Sequence, residues 1–565
     1  MNEARTGWGR IVRRAAPELG CGMAALWVRL WFLAGFRFSP LLIPFAGQHD
    51  PSLYDQAAKA VAQGHLFPAG AFEHLPLYPW VLGAVYRLVS ASPLAAAGLG
   101  IACDVLTTAL LVRLARRLGA RPVWAAVAGL LYAAYPLAVV YSALTMPNTL
   151  QALGLTAFSL AALSASSLSA RRGAGLGLLA GGVALGFPGI LPVSAAWLAV
   201  VVWREKKRVR AGALLFLAVL GLPLLIPAIH NTRSEGRFVL LTTHGGFNLY
   251  MGNHEQATGH PLRVRDFRLT ARAMLEDAHH FAEVSTGRPL SRAESSAWWA
   301  GQARAFWREH PGNAFRLMLR KVALFWHGVD MDDLRMREQV GILDGRLDGR
   351  FWPGFAVFGL LGLGGLVMAR APAAKAMLLA GMAGQAMFFI TARYRLPFVP
   401  LMGALGAAGL TRLLEDARAR RLRPRHAALL LLGVVFWPFE FRDQRPVDHY
   451  NAALQLMAAG RLERALEVIR RGQAIDPHFA LLYHAEGTVW FHREQFDEAA
   501  AAYARAAELP AAPLNTRYNH ALSLARAGRF QEAIEVLDAD PAGLQADSLR
   551  ARLRSDLALA LASPD

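Results

Sequence analysis

Over residues 1–439 apolar positions fall in long unbroken runs separated by short basic clusters, and after Phe439 the pattern changes to an Ala-rich, charged, amphipathic one. A helix needs about 20 apolar residues to cross a bilayer. Runs of that kind occur at roughly 21–46, 93–116, 122–143, 150–168, 174–202, 211–229, 351–369, 375–391, 396–414 and 427–438. The 174–202 run suits only a tilted hairpin of two short helices, so the pattern predicts about eleven spans. The first run is too long for a signal peptide and lacks a cleavage site, which makes it an uncleaved span with its basic end inside.

The clusters Arg113–Arg121, Arg171-Arg172, Arg204–Arg210 and Arg412–Arg425 fall at every second boundary, as the positive-inside rule requires. An odd number of spans places the C-terminus outside. Leu77 to Val89 is also apolar but short, and a crossing there would put the Arg113–Arg121 loop outside, so it is expected along the outer interface. Two large segments, about 47–92 and 230–350, then face outward with the loop tips near Met146 and Arg393. Within the second, Ser291-Arg292-Ala293-Glu294 has capping-box spacing ahead of Trp298, Trp299, Phe306 and Trp307. A second amphipathic stretch, Ala314 to Trp326, follows; these juxtamembrane helices either lie in the headgroup layer or pack on the bundle.

Leu462, Phe496 and Phe530 recur every 34 residues, as do Ala465, Ala499 and Ala533, within GRLERALEVI, EQFDEAAAAY and GRFQEAIEVL. That period is the tetratricopeptide signature of two helices per repeat, with 547–562 as a capping helix. The expected fold class is therefore all-α: a polytopic transmembrane bundle with outward juxtamembrane helices, plus a C-terminal α-solenoid. Its divisions are a basic tail at 1–20, a transmembrane domain at 21–439 and a repeat domain at 440–565.

The chain of 565 residues carries a net charge of +19, but at 54% hydrophobic content, with the basic residues confined to inter-span clusters, nucleic acid is excluded as a partner. Cys21 and Cys103 lie in or beside apolar runs and form neither a disulfide framework nor a metal site. Asp50 stands just past the first span, where an acid is either a solvated boundary marker or a site residue. Asp55 either assists Asp50 or faces solvent. Asp104 lies too deep in a span for outward chemistry and is expected to make a structural polar contact.

Four segments carry a family likeness. Asp50, Tyr54, Ala58 and Gly64 are followed by Pro76-Leu77-Tyr78-Pro79; Tyr135-Pro136 leads to Tyr141-Ser142 and Pro147-Asn148; Gly245 to Asn253 reads GGFNLYMGN; and Ala392-Arg393-Tyr394-Arg395-Leu396-Pro397 closes the set. Together they resemble the C-type glycosyltransferases that use polyprenyl-phosphate sugars, in the bacterial branch related to protein O-mannosyltransferases, some members of which carry tetratricopeptide repeats. The resemblance implies an inverting enzyme of the bacterial inner membrane, with a cytoplasmic N-terminus and periplasmic repeats. It would move a sugar from a polyprenyl-phosphate monosaccharide to a protein or glycan acceptor, with Asp50 as base. With it go donor-phosphate contacts from Arg393, Tyr394 and Arg395, the alternative for the arginines being interfacial snorkelling; a substrate loop that includes Tyr78, Asn148, Asn248, Tyr250 and Asn253, the alternative for Gly245–Asn253 being a tight connection; and assisting roles for Tyr54, Glu73 and His74. A divalent cation held by Glu73, His74 and Asp50 is an open alternative that no spacing enforces. Relatives often place an acid where this chain has Asn148, so a second carboxylate at that position is missing. The repeats are expected to bind the acceptor or an envelope protein. The rival readings are a non-enzymatic anchored scaffold and a lipid or sugar transporter.

Overall fold

A computed structural model describes residues 2–42, 50–164, 167–261, 271–347, 352–421, 424, 445–513, 515–539 and 548–562. Helix is the only regular secondary structure among the described residues, with no strand, and the chain divides into two compact units.

The first unit takes in most of residues 1–440. Its helices are α1 (Asn2–Phe36), α2 (Asp50–Ala62), α3 (Leu77–Leu88), α4 (Pro93–Arg117), α5 (Pro122–Ala133), α6 (Pro136–Ala143), α7 (Asn148–Ser164), α8 (Ala170–Ala184), α9 (Ile190–Glu205), α10 (Arg210–Glu235), α11 (Gly245–Met251), α12 (Ala271–Thr286), α13 (Arg292–Glu309) and α14 (Pro311–Trp326). After α15 (Met336–Leu343), which belongs to the second unit, come α16 (Phe355–Met368), α17 (Pro372–Ala386), the short turn α18 (Ala392–Arg395) and α19 (Val399–Arg418).

Four stretches among the described residues are long and apolar enough to cross a membrane: Ala15–Phe36, Pro93–Arg117, Arg210–Glu235 and Ala392–Arg418. A fifth, at 122–143, is a pair of helices bent by 54°. The bend falls where Pro136 opens α6, because proline removes an amide donor and restricts the residue before it to extended geometry. The 174–202 run does become two helices, α8 and α9. At 12 residues α3 is about 18 Å long, too short for a hydrocarbon core of about 30 Å. The run at 427–438 and His49 lie outside the described residues. One helix runs from Asn2 to Phe36, through residue 20, and its part long and apolar enough to cross a membrane is Ala15–Phe36.

Close helix pairs are made by glycine. Gly173, Gly177 and Gly181 lie on one face of α8, and a Cβ on each would come within 2.0, 2.4 and 2.3 Å of the carbonyls of Gly212, Phe216 and Leu220 on α10. Small residues at four-residue spacing let membrane helices approach backbone to backbone. Gly177→Leu is expected to force α8 and α10 apart at a cost of about 1–3 kcal/mol, read as a lower melting midpoint of the detergent-solubilised protein. An unchanged midpoint would show that the two helices do not pack so closely.

A buried ion pair crosses the inside of the bundle. Arg29 on α1 and Asp104 on α4 are both 0% exposed and ion-paired. The Arg29 Nε donates to Asp104 Oδ2 at 2.6 Å, and the Tyr132 hydroxyl of α5 donates to Asp104 Oδ1 at 2.7 Å. One acid thus joins three helices.

The capping box at Ser291 is present: the Glu294 amide donates to Ser291 Oγ and the Ser291 amide to Glu294 Oε2. Trp299 and Phe306 of α13 are buried in clusters with Phe247, Met251 and Ala314, so this face packs on protein rather than lying in headgroups.

The second unit contains residues 335–348 and 441–565, together with 39–41. Its helices are α15, α20 (Pro446–Ala458), α21 (Leu462–Ile475), α22 (Ala480–His492), α23 (Phe496–Glu508), α24 (Thr516–Arg526), α25 (Phe530–Asp538) and α26 (Ser548–Ala562). Leu462, Phe496 and Phe530 each begin a helix, and Ala465, Ala499 and Ala533 are each 0% exposed. The 34-residue period is therefore a structural one, with the small residue at each helix crossing. An unforeseen member is α15, whose Ile342 and Leu343 pack on the core formed by α20 and α21. Arg335 just before it pairs with the buried Asp448, NH2 donating to Oδ2 at 2.6 Å.

Candidate active site

Segments far apart in the chain meet in the first unit around Arg393. Its NH1 donates to Asp50 Oδ2 at 2.6 Å and its NH2 to Asp333 Oδ2 at 2.7 Å. All three side chains keep a little exposure, 12% for Arg393, 17% for Asp50 and 14% for Asp333. Asp50 is the first residue of α2, where free amides favour a carboxylate. Asp333 is anchored twice at Thr391: the threonine hydroxyl donates to Asp333 Oδ1 at 2.7 Å and the Asp333 amide donates back to Thr391 Oγ1 at 3.2 Å. Asn148, at the start of α7, donates from Nδ2 to the Arg393 carbonyl at 3.0 Å. It braces the turn that carries the arginine.

Aromatic rings wall one side. The Tyr54 ring meets His74 edge-on with centroids 5.3 Å apart and Tyr78 at 5.5 Å, while His74 meets His244 at 5.8 Å. Burial holds the His74 imidazole below its ordinary value against the opposing pull of Asp50 and Glu73, and burial pushes His244 down to about 3, helped by His74 and Arg292. Both rings are neutral near pH 7 and add no positive charge beside Asp50. Burial, then Asp50 and Tyr394, raise the Tyr54 phenol, so it remains a donor. Tyr394 packs at a tilt against Phe389 and lies under the Arg393 guanidinium, 5.1 Å from it.

Other expected residues stand elsewhere. Asp55 neither assists Asp50 nor faces solvent; it is buried between α2 and α3, accepting from the Tyr86 hydroxyl at 2.7 Å and pairing with Lys59 at 2.6 Å. Arg395 is 0% exposed and donates to the carbonyls of His327 and Val329 at 2.6 Å each, with Phe355 beneath its guanidinium. It closes the end of α14 and has no face for a phosphate. Residues two apart in a helical turn point to different sides, which is why Arg393 and Arg395 do not act together. Asn253 is 0% exposed: its Nδ2 donates to the carbonyls of Leu249 and Met387, and its Oδ1 accepts from Trp307 and Lys321. A Cβ on Gly246 or Gly252 would lie within 1.9 Å of a neighbouring carbonyl. The glycine-rich segment is thus a packing device, and Asn253 is closed to a sugar. Tyr250 is stacked on His254 and packed on Trp299, and Asn248 is half-buried on the same helix, α11. Glu73 is exposed, and no three His, Cys, Asp or Glu side chains among the described residues are grouped to hold a metal ion.

Three acids escaped the sequence reading. Asp330 accepts from the Tyr135 hydroxyl at 2.5 Å, Asp332 from the Tyr141 hydroxyl at 2.8 Å, and Asp333 from Arg393. Their signal was Asp330-Met331-Asp332-Asp333 at the far end of an outward segment, three acids in four residues. Of the three, Asp333 lies at Arg393 together with Asp50.

Beside the site an apolar cavity of about 500 Å³ is lined by α7 and α8, through Leu150, Gly154, Leu178 and Gly182, and reaches Tyr78 and Pro147. Among the described residues, the Tyr78 hydroxyl, Gln151 Oε1, Asn148 Oδ1 and Arg393 Nε are buried without a hydrogen-bond partner. Tyr78 and Gln151 are among the residues that line the cavity. No protein-family model matches the chain, and no curated protein matches its sequence.

Proposed function

We propose that this chain is a membrane glycosyltransferase that moves a sugar from a polyprenyl-phosphate monosaccharide to an extracytoplasmic acceptor with inversion. The observation that carries this reading is the contact between Asp50 and Arg393, a carboxylate and a guanidinium 2.6 Å apart, next to an apolar cavity. Displacement at an anomeric carbon needs both. Asp50 accepts the proton of the acceptor hydroxyl, the acceptor oxygen forms the new bond to the anomeric carbon, and the bond from that carbon to the phosphate oxygen breaks. The polyprenyl phosphate leaves with the electron pair, its charge met by Arg393. The apolar chain of the carrier occupies the α7–α8 cavity, a position favoured by its apolar lining and by its reach to Tyr78, whose ring meets Tyr54, and to Pro147, next to Asn148. Neutral His74 and His244 with Tyr54 offer ring faces and a hydroxyl to a sugar.

The span count of about eleven and a bacterial inner-membrane location with outward repeats belong to the same reading. Support comes from the meeting of Asp50, Asn148, Asp333 and Arg393, since segments assigned to one side of the membrane should converge. The second unit is read as a tetratricopeptide solenoid that recruits the acceptor or an envelope protein.

Membranes containing the chain, incubated with a panel of polyprenyl-phosphate monosaccharides carrying labelled sugars, are expected to transfer label from at least one donor above control membranes. Absence of transfer with every donor would shift the balance to an anchored scaffold.

A further inference from the structure

The two sides of α14 are built differently. Ala314, Leu317, Lys321 and Phe325 are buried on protein. On the outer side Phe315 is 61% and Leu319 53% exposed, and each is followed by an exposed arginine, Arg316 and Arg320. Residues four apart share a helix face, so two apolar groups form one column and two guanidinium groups the next. Among the described residues neither Arg316 nor Arg320 is paired with an acid. An exposed Phe or Leu standing alone needs no explanation; these two are notable for where the helix is fastened. Arg395, in the first turn of the membrane-crossing stretch Ala392–Arg418, donates to the carbonyls of Leu324, Phe325 and His327 at the end of α14. Lys321 donates to Asn253 Oδ1 at 3.0 Å, and Asn253 Nδ2 donates to the Met387 carbonyl at 2.8 Å. The Gly259 carbonyl accepts from the Ile390 amide at 2.8 Å, and a Cβ on Gly259 would stand 3.0 Å from both Lys321 and Leu324. Over residues 321–327 the helix is thus tied to residues 387–395, the segment that leads into the span, in which Met387 and Phe388 are exposed apolar residues as well.

We propose that the outer face of α14 rests in the headgroup layer of the leaflet bordering the Arg393 site and selects anionic phospholipids there, with Phe315 and Leu319 entering the acyl boundary and Arg316 and Arg320 binding lipid phosphates. The end of a span marks the depth at which the hydrocarbon gives way to headgroups, and α14 is fastened at that end. A bilayer takes apolar groups and cations side by side, the arginine stems lying on apolar surface while their heads reach the phosphates. A dissolved phosphate would satisfy the two arginines and leave Phe315 and Leu319 in water. Zwitterionic headgroups carry no net charge to match the pair, whereas an anionic headgroup does. The contact requires no transfer chemistry, only that Ala392–Arg418 crosses the membrane.

The test places a bimane fluorophore on the full chain at Phe315→Cys, and separately at Leu319→Cys, in phosphatidylcholine nanodiscs; the chain's own Cys21 and Cys103 are buried. Lipids carrying a nitroxide are expected to quench the label at both positions, and aqueous acrylamide to leave it bright. Nitroxide phosphatidylglycerol is expected to reach half-maximal quenching at about one fifth of the mole fraction needed with nitroxide phosphatidylcholine, the worth of one arginine at an anionic surface. Arg316→Gln combined with Arg320→Gln, both on exposed side chains, is expected to erase that difference between the lipids while quenching itself persists. Absence of lipid quenching at both positions would put this face in water or under another protein and overturn the contact. Equal quenching by the two lipids in the parent chain, or a preference for phosphatidylglycerol that survives loss of both arginines, would overturn the selection.

Discussion

Asp50→Asn is expected to lower sugar transfer by about 10²–10⁴-fold, the range for loss of a positioned general base, with the protein still folded. Asparagine keeps the shape of the side chain and an oxygen that can accept from Arg393 NH1, but it has no lone pair basic enough to take the acceptor proton. The arginine is not stranded by the change, because Asp333 stays on NH2. Structural cost is therefore small, and the loss should appear in kcat rather than in donor affinity. Asp55→Asn is the informative contrast. It lies five residues on, but its carboxylate is held between α2 and α3 by Tyr86 and Lys59. Transfer by that variant is expected to stay within a few-fold of wild type, with any effect seen in the melting midpoint. Initial rates for both variants at matched expression decide the matter, and equal rates for wild type and Asp50→Asn would remove Asp50 from the mechanism.

Elements governed by local period were legible in the sequence. Recurrence of Leu462, Phe496 and Phe530 located three helix starts, and the capping box at Ser291 marked another. Those signals depend on residues within a turn or two of each other. What depended on distant partners was less legible. Asp50 was marked by its place at the end of the first span, but Asp333 was not, because its meaning comes from an arginine 60 residues away. Arg395 resembled a second ligand, yet a helical turn sends it into the protein beneath α14 while Arg393 faces the site. Asn253 looked like a sugar contact because amides suit hydroxyls, whereas its four polar neighbours are all protein groups. The same limit hid α15. Its 8 residues carry no repeat period, and it is the pairing of Arg335 with Asp448 and the packing of Ile342 and Leu343 that join them to the second unit.

Asp104→Ala is expected to destabilise the first unit by about 3–5 kcal/mol, because it leaves Arg29 charged and buried without its carboxylate. The carbonyls of Ala133, Ala25 and Tyr132 that also accept from Arg29 offer partial charges, not a full one. Tyr132 loses its acceptor at the same time. Replacing both ions with leucine should recover most of the loss, since an apolar pair has nothing left to satisfy, and adding Tyr132→Phe should recover more by removing the stranded hydroxyl. The expected pattern is strong non-additivity: either single change is severe, the double is mild, and a cycle built on melting midpoints in detergent yields a large coupling. In a membrane the unfolded reference also finds polar partners, which favours the lower end of the range. Additive losses would mean that Arg29 and Asp104 do not hold α1, α4 and α5 together as a unit. Because this triad is distinct from the Asp50–Arg393–Asp333 group, the rescued variants should regain transfer along with stability, separating the residues that hold the bundle from those proposed to carry the transfer.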